Sequence, residues 1–222
     1  VISLPFGLVL KMNESSGHTT KVTTLQLLSS LKAINHPFLF HCVFSSMKDR
    51  GYMVSTWVDG DSTADVWDVL QPTDLKRMAD DLQDQWQALQ SQTENQRHPI
   101  CSAAGGTIVD ARVPWIAEER PQVFHDCCVS ATEVWLGLDY DIPSGQALRK
   151  DMQTVLDTVY HISFCHGDML PKNFISPGGL ARWQEGGSRV CFIDWEQAGW
   201  LPIYWDALKT TWVEDDTNSE YT

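Results

Sequence analysis

The chain is organised around Phe164-Cys165-His166-Gly167-Asp168-Met169-Leu170-Pro171-Lys172-Asn173-Phe174-Ile175, and a related segment follows at Val190-Cys191-Phe192-Ile193-Asp194-Trp195-Glu196. In each, an apolar run typical of a buried strand ends at an acidic residue, where the chain turns toward an open site. Asp168, Asn173 and Asp194 together supply two carboxylates and one carboxamide. These hard oxygen ligands suit Mg²⁺ that is held jointly with phosphate oxygens. Alternatively, Asp168 accepts the proton of an attacking hydroxyl group.

The order of these residues resembles a known family. An Asp followed five positions later by an Asn has the spacing of the kinase loop H-R-D-x-x-x-x-N, here with Gly167 in place of Arg. His166-Gly167-Asp168-x-x-Pro171-x-Asn173, followed by Ile193-Asp194-Trp195-Glu196, resembles the aminoglycoside phosphotransferase and choline-kinase-like family. The continuation from Gln197 to Trp205 is similar to the fungal branch of that family, and the likeness runs from about Gly7 to Trp212. It implies an α+β, two-lobed, protein-kinase-like fold.

The resemblance also implies a role for each polar residue. Asp168 is the expected catalytic residue, which orients the acceptor hydroxyl and takes its proton. Asn173 and Asp194 are the expected ligands of Mg²⁺. Lys11, at the end of Leu8-Val9-Leu10-Lys11, matches the strand lysine that pairs with the phosphates of ATP. The backbone of Thr56, Trp57 and Val58 corresponds to the hinge that meets adenine. The implied cofactors are therefore ATP and Mg²⁺, and the implied partner is a small-molecule substrate.

Plainer interpretations exist for most of these positions. Lys11 also fits an ordinary exposed lysine at a strand end, and residues 56–58 also fit an edge strand that leads to a Gly turn. His166 is expected to support the loop through hydrogen bonds rather than to react. Lys172 either helps to neutralise developing charge or is simply exposed to solvent.

Two departures from the family pattern stand out. Residues 19–33 have the apolar spacing of the helix that should present a glutamate to the strand lysine. However, no acidic residue lies between Lys21 and Lys48, and Thr23 occupies roughly the expected position. Almost nothing precedes Lys11 that corresponds to a Gly-rich loop. We therefore expect a truncated small β lobe that lacks its first two strands.

The remaining pattern divides the chain into a partial sheet lobe over residues 1–59 and a mainly helical lobe over residues 60–222. Paired strands are predicted at 38–44 and 52–58, and a long amphipathic helix is predicted from Pro72. Further helices are predicted over 130–138, where Ser130 to Glu133 forms a capping box, from Ser144 onward, and over 204–213.

Composition limits the functional classes. The chain has 222 residues, of which 43% are hydrophobic, with 16 basic and 29 acidic residues and a net charge of −13. This balance argues against nucleic acid or an anionic membrane as a partner, since both require clustered Lys and Arg. The six cysteines are scattered without a C-x-x-C pair, which favours a reducing compartment and a cytoplasmic location. The oligomeric state is not indicated.

Three functions follow from these patterns. The first is a small-molecule kinase that transfers the γ-phosphate of ATP to a hydroxyl group, with activity reduced by the missing Gly-rich loop. The second is a pseudokinase-like binding module without turnover, which the missing helix carboxylate also favours. The third is a metal-dependent hydrolase in which His166, Asp168 and Asp194 bind the metal, although no established zinc-ligand spacing is present.

Overall fold

The architecture comes from a computed structural model, which describes residues 1–45, 50–93, 100–106, 108 and 161–210. The helices predicted over 130–138 and from Ser144 lie outside these residues, as does the end of the predicted helix 204–213.

An antiparallel sheet and one helix make up the first part of the chain. The strands are β1 (Ile2–Leu4), β2 (Leu8–Glu14), β3 (Leu39–Ser45) and β4 (Arg50–Thr56), in the spatial order β1-β2-β4-β3. Helix α1 (Ser15–Leu31) follows β2 directly. Its residues Leu25 and Leu28 are buried together with Met53 of β4, so the apolar stripe of the helix faces the sheet.

Strand β1 corrects one expectation. We expected both strands that normally precede the lysine strand to be missing, but Ile2–Leu4 pairs with β2 in register Ile2↔Leu10 and Leu4↔Leu8. Strand β2, which carries Lys11, therefore has a neighbour on each side.

The rest of the described chain combines short strands with helices. These elements are β5 (Gly60–Ser62), α2 (Pro72–Thr93), β6 (Cys101–Ser102), β7 (Ile162–Cys165), β8 (Phe174–Pro177), α3 (Leu180–Gln184), β9 (Cys191–Phe192), β10 (Gly199–Pro202) and α4 (Trp205–Thr210). The strands among these elements form two three-stranded sheets, with the orders β5-β8-β9 and β6-β10-β7. Asp168 follows strand β7 and Asp194 follows strand β9, so these two strands position the two carboxylates.

Helix α2 packs in the same hydrophobic core as strands β7 and β9. Its apolar residues Met78 and Leu89 are buried in the same core as Phe164 of β7 and Phe192 of β9. Trp195, Trp200 and Trp205 are also buried, so these large rings pack in the interior.

Within the described ranges, no helix has the length and apolar character needed to cross a membrane. The four cysteines placed by the structure are free thiols, namely Cys42, Cys101, Cys165 and Cys191.

Candidate active site

The loop after β7 is held in a conformation that only glycine accommodates easily. Gly167 has φ 79°, and a Cβ atom at this position would lie 2.3 Å from the carbonyl oxygen of Gln197. Both features explain why the H-G-D sequence has Gly where the protein-kinase loop has Arg.

Asp168 and Asn173, predicted from their spacing, do contact each other. The Nδ2 atom of Asn173 donates to the Asp168 carboxylate oxygen Oδ2 at 2.8 Å and to the Asp168 main-chain carbonyl at 2.8 Å. Both residues are buried. Since the amide nitrogen is committed to Asp168, the carboxamide oxygen is the atom of Asn173 that can bind a cation.

His166 joins the two loops, as predicted for a supporting residue. Its Nε2 lies 2.8 Å from the carbonyl oxygen of Ile193, and its Nδ1 accepts the Asp168 N–H at 3.2 Å. Burial lowers the pKa of His166 to about 4, so the ring is neutral and carries its proton on Nε2. Because both ring nitrogens are used, His166 is not a metal ligand, and the hydrolase interpretation is wrong on this point.

Asp206 is a supporting residue that the sequence did not reveal. Its carboxylate oxygens accept the backbone N–H of His166 at 3.0 Å and of Gly167 at 2.8 Å. Burial raises the pKa of Asp206 to about 6, although these hydrogen bonds oppose the shift. The only available signal was an acidic residue at the start of an apolar helix, which is an ordinary feature of helices.

Asp194 lies two residues after the end of β9 in a left-handed conformation, with φ 64° and ψ 56°. The preceding Ile193 N–H donates to the Asn173 carbonyl at 3.0 Å, so the loop that holds Asn173 and the loop that holds Asp194 are adjacent. Non-glycine residues adopt this conformation rarely, and Asp is among those that adopt it most readily. The conformation turns the chain soon after the strand and leaves the Asp194 side chain partly exposed.

An unpredicted ion pair engages Asp194. The Nζ atom of Lys21, from helix α1, hydrogen bonds to Oδ1 of Asp194 and lies 3.8 Å from Oε2 of Glu196. Burial favours the neutral form of Asp194, but Lys21 and then Lys11 outweigh this effect, and its pKa is lowered. Burial and the neighbouring Asp194 raise the pKa of Glu196. Lys21, Lys11, Asp194 and Glu196 are hereafter called the four-charge cluster.

Lys11 belongs to this cluster through its electrostatic environment. Burial and the nearby Lys21 lower its pKa, while Asp194 and Glu196 act in the opposite direction. In place of a helix carboxylate, the chain therefore brings a second lysine from α1, and the carboxylates come from the loop after β9. The carboxylates after β9 are thus the acidic groups near Lys11, while Thr23 holds roughly the position on α1 where a glutamate was expected.

The expected hinge residues begin at Thr56, the last residue of β4, and continue beyond the strand. The Thr56 N–H donates to the carbonyl of Phe38 at 2.9 Å, and the Trp57 N–H donates to the carbonyl of Gly7 at 2.7 Å. These two backbone donors are thus used within the sheet. Residues 57–59 then lead into β5, which pairs with β8 in a different sheet.

The donor atoms suit Mg²⁺ bound together with a nucleotide. Among the residues that the structure describes, no group of three or more His, Cys, Asp or Glu side chains could hold a metal ion. Mg²⁺ in phosphate-transfer sites usually takes one or two carboxylates and completes its shell with water and phosphate oxygens. The Asp194 carboxylate and the Asn173 carboxamide oxygen, from two loops joined by the backbone hydrogen bond of Ile193 to Asn173, fit that requirement when Lys21 does not occupy Asp194.

A comparison with protein families shows the family to which the sequence belongs. The sequence matches the model of the phosphotransferase enzyme family over residues 43–221, which is most of the chain. The chain belongs to the phosphotransferase enzyme family. The match covers Asp168, Asn173 and Asp194, while Lys11 and Lys21 lie before it. No individual curated protein matches the sequence.

Solved aminoglycoside phosphotransferases share the fold. One is a thermostable variant of APH(4)-Ia in a ternary complex with ADP and hygromycin B, with TM-score 0.53 and 16% identity over 91% of this chain and 63% of that chain. Another, an APH(2″) enzyme with GDP and kanamycin, gives TM-score 0.53 and 16% identity over 90% and 64% of the two chains. The chain thus spans less than two thirds of the length of these structures. The kinase-like fold of the family, with mixed helix and sheet, is confirmed.

Proposed function

We propose that this chain is a phosphotransferase that moves the γ-phosphoryl group of a nucleoside triphosphate to a hydroxyl group of a small molecule. The observation that carries the proposal is the hydrogen-bonded pair of Asp168 and Asn173, which His166 connects to the loop of Asp194. The same family's solved members include complexes with ADP, AMP-PNP and GDP. ATP is the proposed phosphate donor, which the ADP and AMP-PNP complexes support.

Asp168 is the proposed catalytic residue. The Asn173 amide fixes its carboxylate, and the neutral His166 accepts its backbone N–H, so the side chain is held in one orientation. In the reaction, the acceptor oxygen bonds to the γ-phosphorus as the bond to the β–γ bridging oxygen breaks. The hydroxyl proton passes to the Asp168 carboxylate, and the nucleoside diphosphate leaves with the bridging oxygen.

Asn173 and Asp194 are the proposed ligands of Mg²⁺, which when bound neutralises charge on the phosphate oxygens. Lys11 is proposed to contact the nucleotide phosphates from β2. Its lowered pKa reflects a partly buried ammonium group, which attracts an anion more strongly than an exposed one. The backbone of Thr56 to Val58 is proposed to receive the base, with Val58 as the main donor, since two of the three N–H groups are used within the sheet.

The proposed acceptor is an amino alcohol or an aminosugar. Relatives with solved structures bind hygromycin B and kanamycin. The net charge of −13 favours the approach of a cationic molecule. We propose a division between a sheet lobe over 1–59 and a second lobe over 60–222, with the acceptor on the side of the second lobe. The cytoplasm remains the proposed location.

The test is nucleotide turnover with a panel of amino-alcohol and aminosugar acceptors, measured as phosphorylated product. Asp168→Asn keeps the hydrogen-bonding shape and removes the proton acceptor, so we expect turnover to fall by about 10²–10⁴-fold. Asp84→Asn, an exposed change on α2, is the matched control and should leave turnover unchanged. Nucleotide binding without any Asp168-dependent product would contradict the proposal and support the binding-module alternative.

A further inference from the structure

The ion pair between Lys21 and Asp194 conflicts with the metal role of Asp194. Lys21 is almost completely buried, with a side chain 6% exposed, and Asp194 is the carboxylate that neutralises it directly. An ammonium group held against Oδ1 of Asp194 competes with a divalent cation for the negative charge of that carboxylate and repels the cation at close range. Binding of a metal at Asp194 is therefore stronger when Lys21 moves away.

Glu196 offers Lys21 a second acceptor. Its Oε2 atom is 3.8 Å from the Lys21 Nζ, within ion-pair distance, while its side chain is 43% exposed. A small rotation of the Lys21 side chain would transfer the ammonium group from Asp194 to Glu196. The buried lysine would then keep a counter-ion, which matters because an unpaired buried charge is strongly unfavourable.

We infer that the Lys21 ammonium group regulates metal binding by competing for Asp194. It pairs with Asp194 in the resting protein and moves to Glu196 when a divalent metal binds. The inference deepens the proposed function and rests on it for the role of Asp194. In this scheme the apparent metal affinity is reduced by the fraction of molecules in which Asp194 is free. A free fraction of about one in ten would weaken metal binding about tenfold.

Two substitutions test the inference with opposite signs. Lys21→Met keeps a long apolar stem and removes the competing charge, so Mn²⁺ should bind about tenfold more tightly. Glu196→Gln removes the alternative acceptor and should weaken Mn²⁺ binding, by about threefold or more. Because the Glu196 side chain is partly exposed, this second variant tests the inference even if Lys21→Met does not fold.

The measurement is Mn²⁺ binding to the full chain, followed by the electron paramagnetic resonance signal of the free ion. Asp194→Asn in the Lys21→Met background defines binding that depends on Asp194. Lys76→Met is the matched control for net charge, because it breaks an exposed Lys76–Asp80 ion pair of 2.7 Å on α2. It should leave Mn²⁺ affinity nearly unchanged.

Asp194-dependent tightening in Lys21→Met together with weakening in Glu196→Gln supports the inference. Equal affinity in Lys21→Met and Lys76→Met overturns it, and so does an absence of Asp194-dependent binding in Lys21→Met. The proposed function is tested separately by Asp168-dependent turnover. Turnover with no effect of Lys21 on metal binding would remove the inference and leave the phosphotransferase intact.

Discussion

At the scale of single residues, Asp168 is held in place by groups that do not themselves react. His166 and Gly167 donate their backbone N–H groups to Asp206, and the His166 ring bonds to both Asp168 and Ile193. Asp206 and His166 are both buried, and burial shifts their pKa values in opposite directions. The ordering of this loop should therefore depend on pH in a way that single substitutions can separate.

Asp206→Asn should change how stability varies with pH. The pKa of Asp206 rises from 3.8 to about 6 in the folded protein, so its ionisation opposes folding as pH increases from about 4 to about 6. Relative to Asp206→Asn, the wild-type protein should lose up to about 3 kcal/mol of unfolding free energy across that window. Urea titrations of both proteins from about pH 4 to about pH 7 measure the difference.

The comparison between the two proteins removes the other titrating groups. His166 contributes with the opposite sign, because its lowered pKa of about 4 makes the folded state less stable as pH falls below 6.5. That contribution is present in both proteins and cancels in the difference. A difference in unfolding free energy that stays constant with pH would contradict the raised pKa of Asp206.

Gly167→Ala should destabilise the protein more than a glycine substitution with the same backbone angle elsewhere. A left-handed φ alone makes alanine unfavourable by about 1–2 kcal/mol. At Gly167 the added Cβ would also lie 2.3 Å from the Gln197 carbonyl oxygen. Gly105, with φ 80° and no atom within 4 Å of an added Cβ, is the matched control. Thermal unfolding should show a loss for Gly167→Ala larger by about 1–3 kcal/mol.

Turnover should also fall more in Gly167→Ala than in Gly105→Ala, since the loop displaced at Gly167 carries Asp168. Equal destabilisation of Gly167→Ala and Gly105→Ala would mean that the loop moves away from Gln197 without penalty.

At the scale of secondary-structure elements, helix α2 holds the segment before β9. The buried Gln85 donates from Nε2 to the Val190 carbonyl at 3.0 Å and accepts the Asn35 N–H on Oε1 at 2.7 Å. Asp81, one turn earlier, accepts the Val190 N–H at 2.6 Å and Arg189 Nε at 2.7 Å. The helix thus connects the chain after α1 to the strand that delivers Asp194.

Gln85→Leu should weaken this connection with little change in side-chain volume. The buried Val190 carbonyl would lose a partner, and an unsatisfied buried polar group destabilises a protein by about 1–3 kcal/mol. Water can replace Gln85 at the N–H of the exposed Asn35, so we expect a total loss of about 1–3 kcal/mol in chemical denaturation. Gln83→Leu changes an exposed residue of the same helix and should alter stability by less than about 0.5 kcal/mol. Similar losses in the two variants would argue against the hydrogen bonds as the cause.

Local sequence patterns predicted the strands and helices better than they predicted the four-charge cluster. The long helix from Pro72 and the paired strands could be recognised because apolar spacing and polar turns are features of neighbouring residues. The contact of Asp168 with Asn173 spans five residues and was also predictable. The pair of Lys21 and Asp194 is separated by 173 positions, and Asp206 contacts a loop 39 and 40 positions earlier. Such pairings depend on tertiary packing, for which no local spacing is diagnostic.

At the scale of the whole molecule, opposite charges from distant parts of the chain meet in the four-charge cluster. Lys11 and Lys21 come from the sheet and helix of residues 1–31, whereas Asp194 and Glu196 follow β9. Local neutrality within the cluster contrasts with the net charge of −13 of the chain. The long-range field should therefore act on ligands as they approach, while the cluster acts on the phosphates and metal once they are bound.

Ionic strength should affect the two substrates of the proposed reaction with opposite signs. The field of an acidic protein attracts a cationic aminosugar and repels the anionic nucleotide, and salt screens both interactions over a distance on the order of 10 Å at 0.1 M. Raising KCl from about 0.05 M to about 0.25 M should lower kcat/KM for a cationic acceptor by about three- to tenfold and should lower the KM for the nucleotide. A neutral polyol acceptor is the control, because its kcat/KM should change little at saturating nucleotide. If salt reduced kcat/KM equally for the cationic and neutral acceptors, the effect would lie in the protein or the chemical step, and the charge of the chain would have no part in selecting its acceptor.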